Sequence, residues 1–549
     1  MKVAKTLKLT TMAGAMLLLS HFASSTEVTQ GSALPVAISV DASGDRHAIS
    51  PLIYGINFGS TATIKDLRIT VNRSGGNSAS GYNWRLDARS AGRDWYFESL
   101  SIDPLDINDQ FGERFVKLSK NGGAEPILTI PMLGRVAKLN ENSKSLASFS
   151  VAKYGPQTGH DMDGLTDAGN GIAANGTPIV DNNPDDASIP DDPGSQQARV
   201  TELVKGFGAA GAGGVRYYAM DNEPSLWQQI HRDVHPTGAH AEEIAEKVIA
   251  YSHAVKSADL KAEILAPEEW GWQGYHDSGF DQQYKTDHSG AQGPDRENET
   301  AGMDYVPWLL SKWRAAGHPV DIFSLHFYPQ GGEYSDSGEV ASDAVALMRN
   351  RSTRDMWDTH YKDPTWINSV VALIPLMRHW ADTYYQAGTP IAITEYSWGG
   401  ETLMNGATAQ ADLLGIFGRE KLDMATRWGT LSADMPVYKA IKMYRNYDGR
   451  GTGFGSTSVS ATVPDPDTVS AFAALRTRDN AMTLMVINKQ LDRPADTTIQ
   501  VNHFAGSGTV EIWQLADNKI SRLPDSSYAR SSLRTTVPQQ SVTLFVLRR

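Results

Sequence analysis

The chain has 549 residues, 40% of them hydrophobic, a formal net charge of −13 at pH 7 and no cysteine. Such a length implies two or three domains. The acidic balance argues against a nucleic-acid partner, and the missing cysteine excludes disulfides, thiolate catalysis, cysteine-ligated zinc and a lipidated N-terminal cysteine.

Residues 1–25 read as an export signal. Lys2, Lys5 and Lys8 precede a short apolar run, Met12 to Leu19, and Ala23 and Ser25 are small residues placed for cleavage after Ser25. The run is too brief to span a bilayer, and no later segment is a membrane-spanning candidate. A secreted or periplasmic protein without a membrane span is expected.

The segment 26–49 carries an alternating strand, Leu34 to Asp41, expected to join a β domain at the other end of the chain. Buried strands then follow near residues 53, 70 and 128. From there the same punctuation repeats: a helical pattern, a glycine, then an apolar strand. Gly214 precedes Val215, Gly317-His318-Pro319 precedes Val320, and Gly388-Thr389-Pro390 precedes Ile391. Helices are expected at 239–256, 305–315 and 371–386. Strands near 53, 70, 128, 217, 264, 322, 392 and 440 make eight. Alternating β and α with continuous apolar strands means a parallel sheet, and eight such units predict a (β/α)8 barrel over 50–448 with long loop insertions. One insertion is the Asp-, Asn-, Gly- and Pro-rich stretch 155–197. An open doubly wound sheet is the other architecture, but no glycine-rich nucleotide loop supports it. Residues 449–467 read as a connection. Beyond them short alternating runs (481–487, 509–513, 541–547) predict an antiparallel sandwich within 449–549.

Two of the barrel strands end in acids. Tyr217-Tyr218-Ala219-Met220-Asp221-Asn222-Glu223 is stopped by Pro224, and Ile391-Ala392-Ile393-Thr394-Glu395 has the same shape. Barrel enzymes keep their reacting groups at such strand ends. A pair of carboxyls facing each other is the minimum equipment for glycoside hydrolysis. A single strand-end Glu serves as well in a structural ion pair; two of them, each flanked by amides and aromatics, favour chemistry.

Met220-Asp221-Asn222-Glu223-Pro224-Ser225-Leu226-Trp227, His231 with Asp233, His235 and Pro236, Phe323-Ser324-Leu325-His326-Phe327-Tyr328-Pro329-Gln330 and Ile393-Thr394-Glu395-Tyr396 resemble glycoside hydrolase family 44. So do Tyr54-Gly55-Ile56-Asn57, Asn72-Arg73, Gly75-Gly76-Asn77 and Tyr82-Asn83-Trp84. The resemblance runs from about residue 50 to about 450. It implies a barrel plus a β-sandwich and a retaining endo-β-1,4-glucanase acting on xyloglucan, carboxymethylcellulose or related β-glucans. Glu223 would be the acid/base and Glu395 the nucleophile. One departure is Ser74, which stands where the resemblance leads one to expect tryptophan.

Neighbouring residues acquire expected roles. In similar barrel glycosidases the amide at Asn222 bonds the sugar 2-hydroxyl. Arg73 could hold the nucleophile ionised. His326 and Tyr328 share one strand face and could touch the acids or the sugar. Trp84, Trp227, Trp270, Trp272, Tyr396 and Trp398 follow strands and are candidate stacking platforms for sugar rings, whereas Trp308, Trp313 and Trp380 fall on helices and read as core.

Two metal readings stay open. His231 and His235 have H-x-x-x-H spacing, but Arg232 stands where a metalloprotease helix needs Glu. In 155–197, Asp161 and Asp163, with Asp167, Asp181, Asp185 and Asp186, offer hard oxygen ligands for a structural calcium. The expected hydrolysis itself needs no cofactor. The expected partner is a β-glucan, met by a monomer. The alternatives are a carbohydrate-binding protein without turnover, a retaining hydrolase of mannan or xylan, and a metallohydrolase on His231 and His235. A serine hydrolase lacks its G-x-S-x-G elbow.

Overall fold

A computed structural model describes residues 32–103, 110–334 and 342–549. The expected signal segment, 1–25, lies outside the described residues.

Eight parallel strands close a barrel: Gly55–Asn57, Val71–Ser74, Glu125–Ile130, Tyr217–Met220, Glu263–Glu269, Ile322–Phe327, Ile391–Tyr396 and Met424–Arg427. Its interior is filled by one side chain or two from most strands. Val71, Ile127, Tyr217, Ala219, Leu265, Ile322, Ala392 and Met424 form a cluster below the site. The layered plug is what makes this fold a packed core rather than a pore.

The strand expected near 440 is a helix, Pro436–Arg445. Its apolar residues Val437, Ala440, Ile441 and Tyr444 recur at helical spacing, and Pro436 is pre-set for a first helical position. The eighth strand is instead the four-residue Met424–Arg427. The helices Ala241–Ala258 and Tyr305–Ala315 occupy the expected stretches, while 371–386 resolves into a helix, Leu373–Trp380, and a π-turn, Ala381–Tyr385.

The C-terminal strands form a ten-stranded sheet that curls until its first strand, Leu34–Asp41, also meets Thr457–Thr462. Leu34–Asp41 runs parallel to Ala495–Asn502, so the sheet is mixed rather than purely antiparallel. Thr457–Thr462 falls in what read as a connection; its short Ser/Thr-rich run carries little apolar signal. Helix Met404–Arg419 is buried from Asn405 to Gly418 between barrel and sheet. There Lys489 Nζ lies 2.6 Å from Asp412 Oδ2, both out of solvent.

The insertion 155–197 docks through its edge. Ser188–Pro190 pairs with Arg135–Ala137. The Arg232 guanidinium lies over Phe97 and Phe149, at 5.1 and 4.5 Å. It donates to the carbonyls of Ile179 and Asn170 at 3.1 and 3.0 Å.

Candidate active site

At the C-terminal end of the barrel, Glu223 follows the fourth strand and Glu395 lies within the seventh. The fourth strand ends at Met220, and Pro224 opens a 3-10 turn three residues after Asp221, so the chain turns sharply between them. Asp221 and Glu223 take left-handed conformations (φ 62° and 46°) that non-glycine residues adopt at a cost. The turn is held from both sides. The Glu223 amide donates to the Glu268 carbonyl at 3.0 Å. The Asp221 carboxylate accepts from Ser80 Oγ at 2.5 Å and from the Met132 amide. Burial raises the Asp221 carboxyl to about 6 against those bonds.

Arg73, at the end of the second strand, is fully buried and its guanidinium reaches four partners. Nη1 donates to Glu395 Oε1 at 2.6 Å and to Asn57 Oδ1 at 3.1 Å. Nη2 donates to Asn222 Oδ1 at 3.0 Å and lies 2.9 Å from Glu268 Oε2. Burial lowers its pKa, but Glu268 and Glu395 more than offset this, so it remains a fixed cation. Tyr328 donates to the other Glu395 oxygen at 2.8 Å.

His326 sits between carboxyls, its Nδ1 at 2.9 Å from Glu223 Oε1 and 3.7 Å from Glu395 Oε2, its Nε2 at 3.3 Å from Glu268 Oε2. Burial disfavours the imidazolium, yet Glu395 and the bonds to Glu223 and Glu268 raise its pKa to about 9. Burial raises the Glu223 carboxyl too, and repulsion from Glu395 adds to this while His326 opposes it. Ligand atoms of Glu223, His326 and Glu395 lie within 4.8 Å of one another. Arg73 and the imidazolium already supply the positive charge a metal ion would bring.

The structure thus brings Arg73, Asn222, Glu223, His326, Tyr328 and Glu395 together. It adds Glu268, absent from the sequence reading. Glu268 is wholly buried and bridges Arg73 Nη2 and His326 Nε2, two cationic groups 3.4 Å apart. Burial would raise its pKa, but those two cations hold it at about 2. The signal was available: Pro267-Glu268-Glu269-Trp270 is a third acid at the end of a buried strand. Asn57 and Asn77 were missed as well. Asn77 Oδ1 accepts from Asn222 Nδ2 at 3.2 Å. Gly76 donates its amide to Asn222 Oδ1 at 3.1 Å from a left-handed conformation (φ 73°), and a β-carbon there would lie 2.5 Å from the Trp428 ring.

Three of the six expected sugar platforms are corrected. Trp227, Tyr396 and Trp398 are at most 2% exposed and cannot present a ring face to a sugar. Trp227 packs on His235 and Lys247. Tyr396 OH accepts from Gln410 at 3.1 Å, and Trp398 stacks on Phe327 and donates to Ser352 Oγ at 2.9 Å. Side chains alternate along a strand, so residues one and three past an inward-facing Glu395 point outward into the helix layer. Trp84 and Trp272 are half-buried, Trp84 beside Arg85 and Trp272 against Tyr275 and His276. A cavity of about 570 Å³ does open beside the site, lined by Asn57, Gly76, Asn77, Trp95 and Trp428.

The two histidines of the H-x-x-x-H pattern diverge. Burial lowers His231 to about 4, whereas His235 binds Glu243 at 3.0 Å and the Thr237 carbonyl at 2.6 Å. Asp161 accepts the Asp163 amide at 3.0 Å, and neither belongs to a group of three convergent metal-ligating side chains among the described residues.

The model of glycoside hydrolase family 44 matches residues 88–331. Endoglucanase A of Paenibacillus lautus is 30% identical over 502 residues, 87% of this chain and 67% of that protein. The chain belongs to glycoside hydrolase family 44. Among solved structures, CelM2, a bifunctional glucanase-xylanase from a metagenome library, is 50% identical with a TM-score of 0.90, covering 93% of this chain and 99% of that one. A Paenibacillus polymyxa xyloglucanase of the same family is 27% identical with a TM-score of 0.76, covering 94% and 99%. This family 44 chain is accordingly a glycoside hydrolase, and the carboxyl cluster stands at the barrel end where its chemistry is expected.

Proposed function

We propose that the protein is a retaining endo-β-1,4-glucanase acting on xyloglucan or a related soluble β-glucan, with Glu395 as nucleophile and Glu223 as acid/base. One observation carries the mechanism: carboxylate oxygens of Glu223 and Glu395 lie within 4.8 Å of each other. Retaining pairs stand about 5–5.5 Å apart, whereas inverting pairs leave about 6.5–9.5 Å for a water. The raised Glu223 pKa suits a group that must start protonated. Glu395, bonded to Arg73 and Tyr328, suits one that must start ionised.

In the first step Glu395 attacks the anomeric carbon while Glu223 passes its proton to the departing glycosidic oxygen, leaving a glycosyl ester on Glu395. In the second, Glu223 takes a proton from water, the water oxygen bonds the anomeric carbon, and Glu395 leaves as carboxylate. In this reading Asn222, held by Arg73, Gly76 and Asn77, bonds the sugar 2-hydroxyl. The similar proteins are named for glucanase, xylanase and xyloglucanase activities, which supports a β-1,4-linked backbone. The basic and apolar opening of the sequence supports export.

The test is hydrolysis of soluble β-glucans by wild type, Glu223→Gln and Glu395→Gln, with the anomer of the first product followed by NMR. Near-complete loss in both variants and a β product are expected. An α product, or full activity in either variant, sinks the proposal.

A further inference from the structure

The fifth barrel strand, Glu263–Glu269, ends in two adjacent acids that face different ways. The strand bulges there: Pro267 pairs with Ser324 and Glu269 with Leu325, and Glu268 between them has φ 60°. A bulge of this kind re-aims the side chains around it. Glu268 turns to Arg73 and His326. Glu269 turns to the neighbouring fourth strand, where its Oε2 accepts from Ser225 Oγ at 2.6 Å and its Oε1 from the Ser225 amide at 3.3 Å. Glu269 and Ser225 are both wholly buried. The close fit uses a glycine: a β-carbon at Gly274 would lie 3.0 Å from Glu269 Oε2.

Ser225 stands two residues after Glu223, across Pro224. The fifth strand therefore grips this turn twice. The Glu268 carbonyl accepts the Glu223 amide at 3.0 Å, and the Glu269 carboxyl takes both donors of Ser225. Such a grip is needed because Glu223 sits at φ 46°, a conformation that costs about 1–3 kcal/mol and persists where the surroundings over-determine it. The other polar groups facing Glu269 are the Tyr275 and Tyr305 hydroxyls and, through space, Glu223 and His326. Burial raises the Glu269 carboxyl to about 8; the Ser225 bonds and His326 oppose this, and Glu223 adds to it. At neutral pH Glu269 thus keeps its proton and adds no charge beside Glu223. A protonated carboxyl offers one acceptor and one donor, as a glutamine amide does.

We infer that Glu269 is a positioning residue for the acid/base: by clamping Ser225 it fixes the turn that carries Glu223, and so holds the Glu223 carboxyl against the departing glycosidic oxygen. The inference rests on the proposed double displacement, in which Glu223 delivers that proton. It acts on the acid alone, since Glu395 is held separately by Arg73 and Tyr328.

The test uses the leaving group. A phenolate needs a proton to depart, whereas a 2,4-dinitrophenolate leaves without one. Glu269→Ala lowers kcat/KM on phenyl β-cellobioside by about 30-fold, the scale of a misplaced general acid. On 2,4-dinitrophenyl β-cellobioside, where kcat/KM reports the step that forms the glycosyl ester, the loss stays within about threefold. Glu269→Gln restores most of the phenyl activity, because the amide keeps the uncharged clamp. Ser225→Ala cuts the same clamp from its other end and gives the same pattern, and the double variant loses no more than either single one. Equal losses on both leaving groups, Glu269→Gln as damaged as Glu269→Ala, or full additivity with Ser225→Ala each overturn the clamp while leaving the double displacement in place. A wild type that cleaves neither a β-glucan nor an aryl β-cellobioside removes the underlying reading and the clamp with it.

Discussion

Arg73 Nη1 lies 2.6 Å from Glu395 Oε1, with Arg73 fully buried and only 6% of the Glu395 side chain exposed. The same guanidinium orients Asn222 and faces Glu268, so one planar group sets the positions of nucleophile, amide and third acid together. Lysine brings one point charge and cannot reach three directions. Arg73→Lys should therefore lower kcat by on the order of 100-fold, as sub-ångström displacement of reacting groups does. Its steady-state kinetics on a soluble β-glucan, checked against a folded circular dichroism spectrum, decide this; a kcat within about threefold of wild type contradicts it.

Tyr328 OH donates to Glu395 Oε2 at 2.8 Å, on the carboxylate oxygen that Arg73 does not hold. A bond to a charged acceptor contributes about 1.5–3 kcal/mol. If that bond weakens as Glu395 becomes an ester, its loss in Tyr328→Phe changes ester formation and breakdown differently. The expected result is a roughly 10-fold lower kcat with an altered burst of the first product in stopped-flow on an aryl β-cellobioside. Unchanged kcat together with an unchanged burst rejects the role.

Much of this arrangement was legible beforehand, and the reasons are specific. Glu223 and Glu395 were visible because apolar strands that stop at an acid are rare in pattern, and Pro224 marks the stop. Three strand positions followed from helix, glycine and apolar run, and four more from apolar runs alone. The eighth was misplaced because Met424–Arg427 is only four residues long, while Tyr438, Ile441 and Tyr444 offered a stronger apolar signal that belongs to a helix. Burial was the weakest inference. Tyr396 and Trp398 sit one and three residues past Glu395, and only the direction of the strand pleat decides that they face the helices rather than the cleft. Glu268 was passed over because the acid pair Glu268-Glu269 had no partner in sequence; its partners Arg73 and His326 are 195 and 58 residues away.

Glu268 bridges Arg73 and His326 at 2.9 and 3.3 Å. Its removal leaves two buried cationic groups 3.4 Å apart with no charge between them. Breaking one partner of a buried pair costs about 3–5 kcal/mol. Glu268→Gln keeps the shape and removes the charge, so His326 should give up its proton more easily. The expectation is a lowered urea midpoint together with a kcat/KM profile whose alkaline limb moves to lower pH. A destabilised variant with an unmoved profile would make Glu268 structural only.

His326 gives a stability signature of definite sign. Its folded pKa, about 9, lies above the ordinary 6.5, so the native state holds a proton that the unfolded chain has released. Its contribution is complete below about pH 6.5 and is lost as pH rises through 9. Glu269, wholly buried, is raised to about 8 by burial, with Glu223 adding to the effect. A raised acid likewise favours the native state less as pH rises from its ordinary value, so both groups tilt the curve the same way. The informative quantity is thus the difference between wild type and His326→Gln in denaturation midpoint, which should shrink from pH 6.5 to 9.5. A difference independent of pH over that window means His326 is not an imidazolium in the fold.

Trp398 and Trp428 separate core from platform. Trp398 is 2% exposed, stacked on Phe327 and bonded to Ser352, whereas Trp428 is half-buried and lines the cavity beside Gly76. Trp398→Phe removes one buried hydrogen bond and part of a packed ring, a loss of about 1–3 kcal/mol in stability. Because the ring never meets substrate, KM on a β-glucan should stay within about twofold. Trp428→Ala removes a face from the cleft and should raise KM about tenfold while the melting temperature moves little. Thermal melts and initial rates on both variants give the answer, and a raised KM in Trp398→Phe with normal stability would return that ring to the cleft.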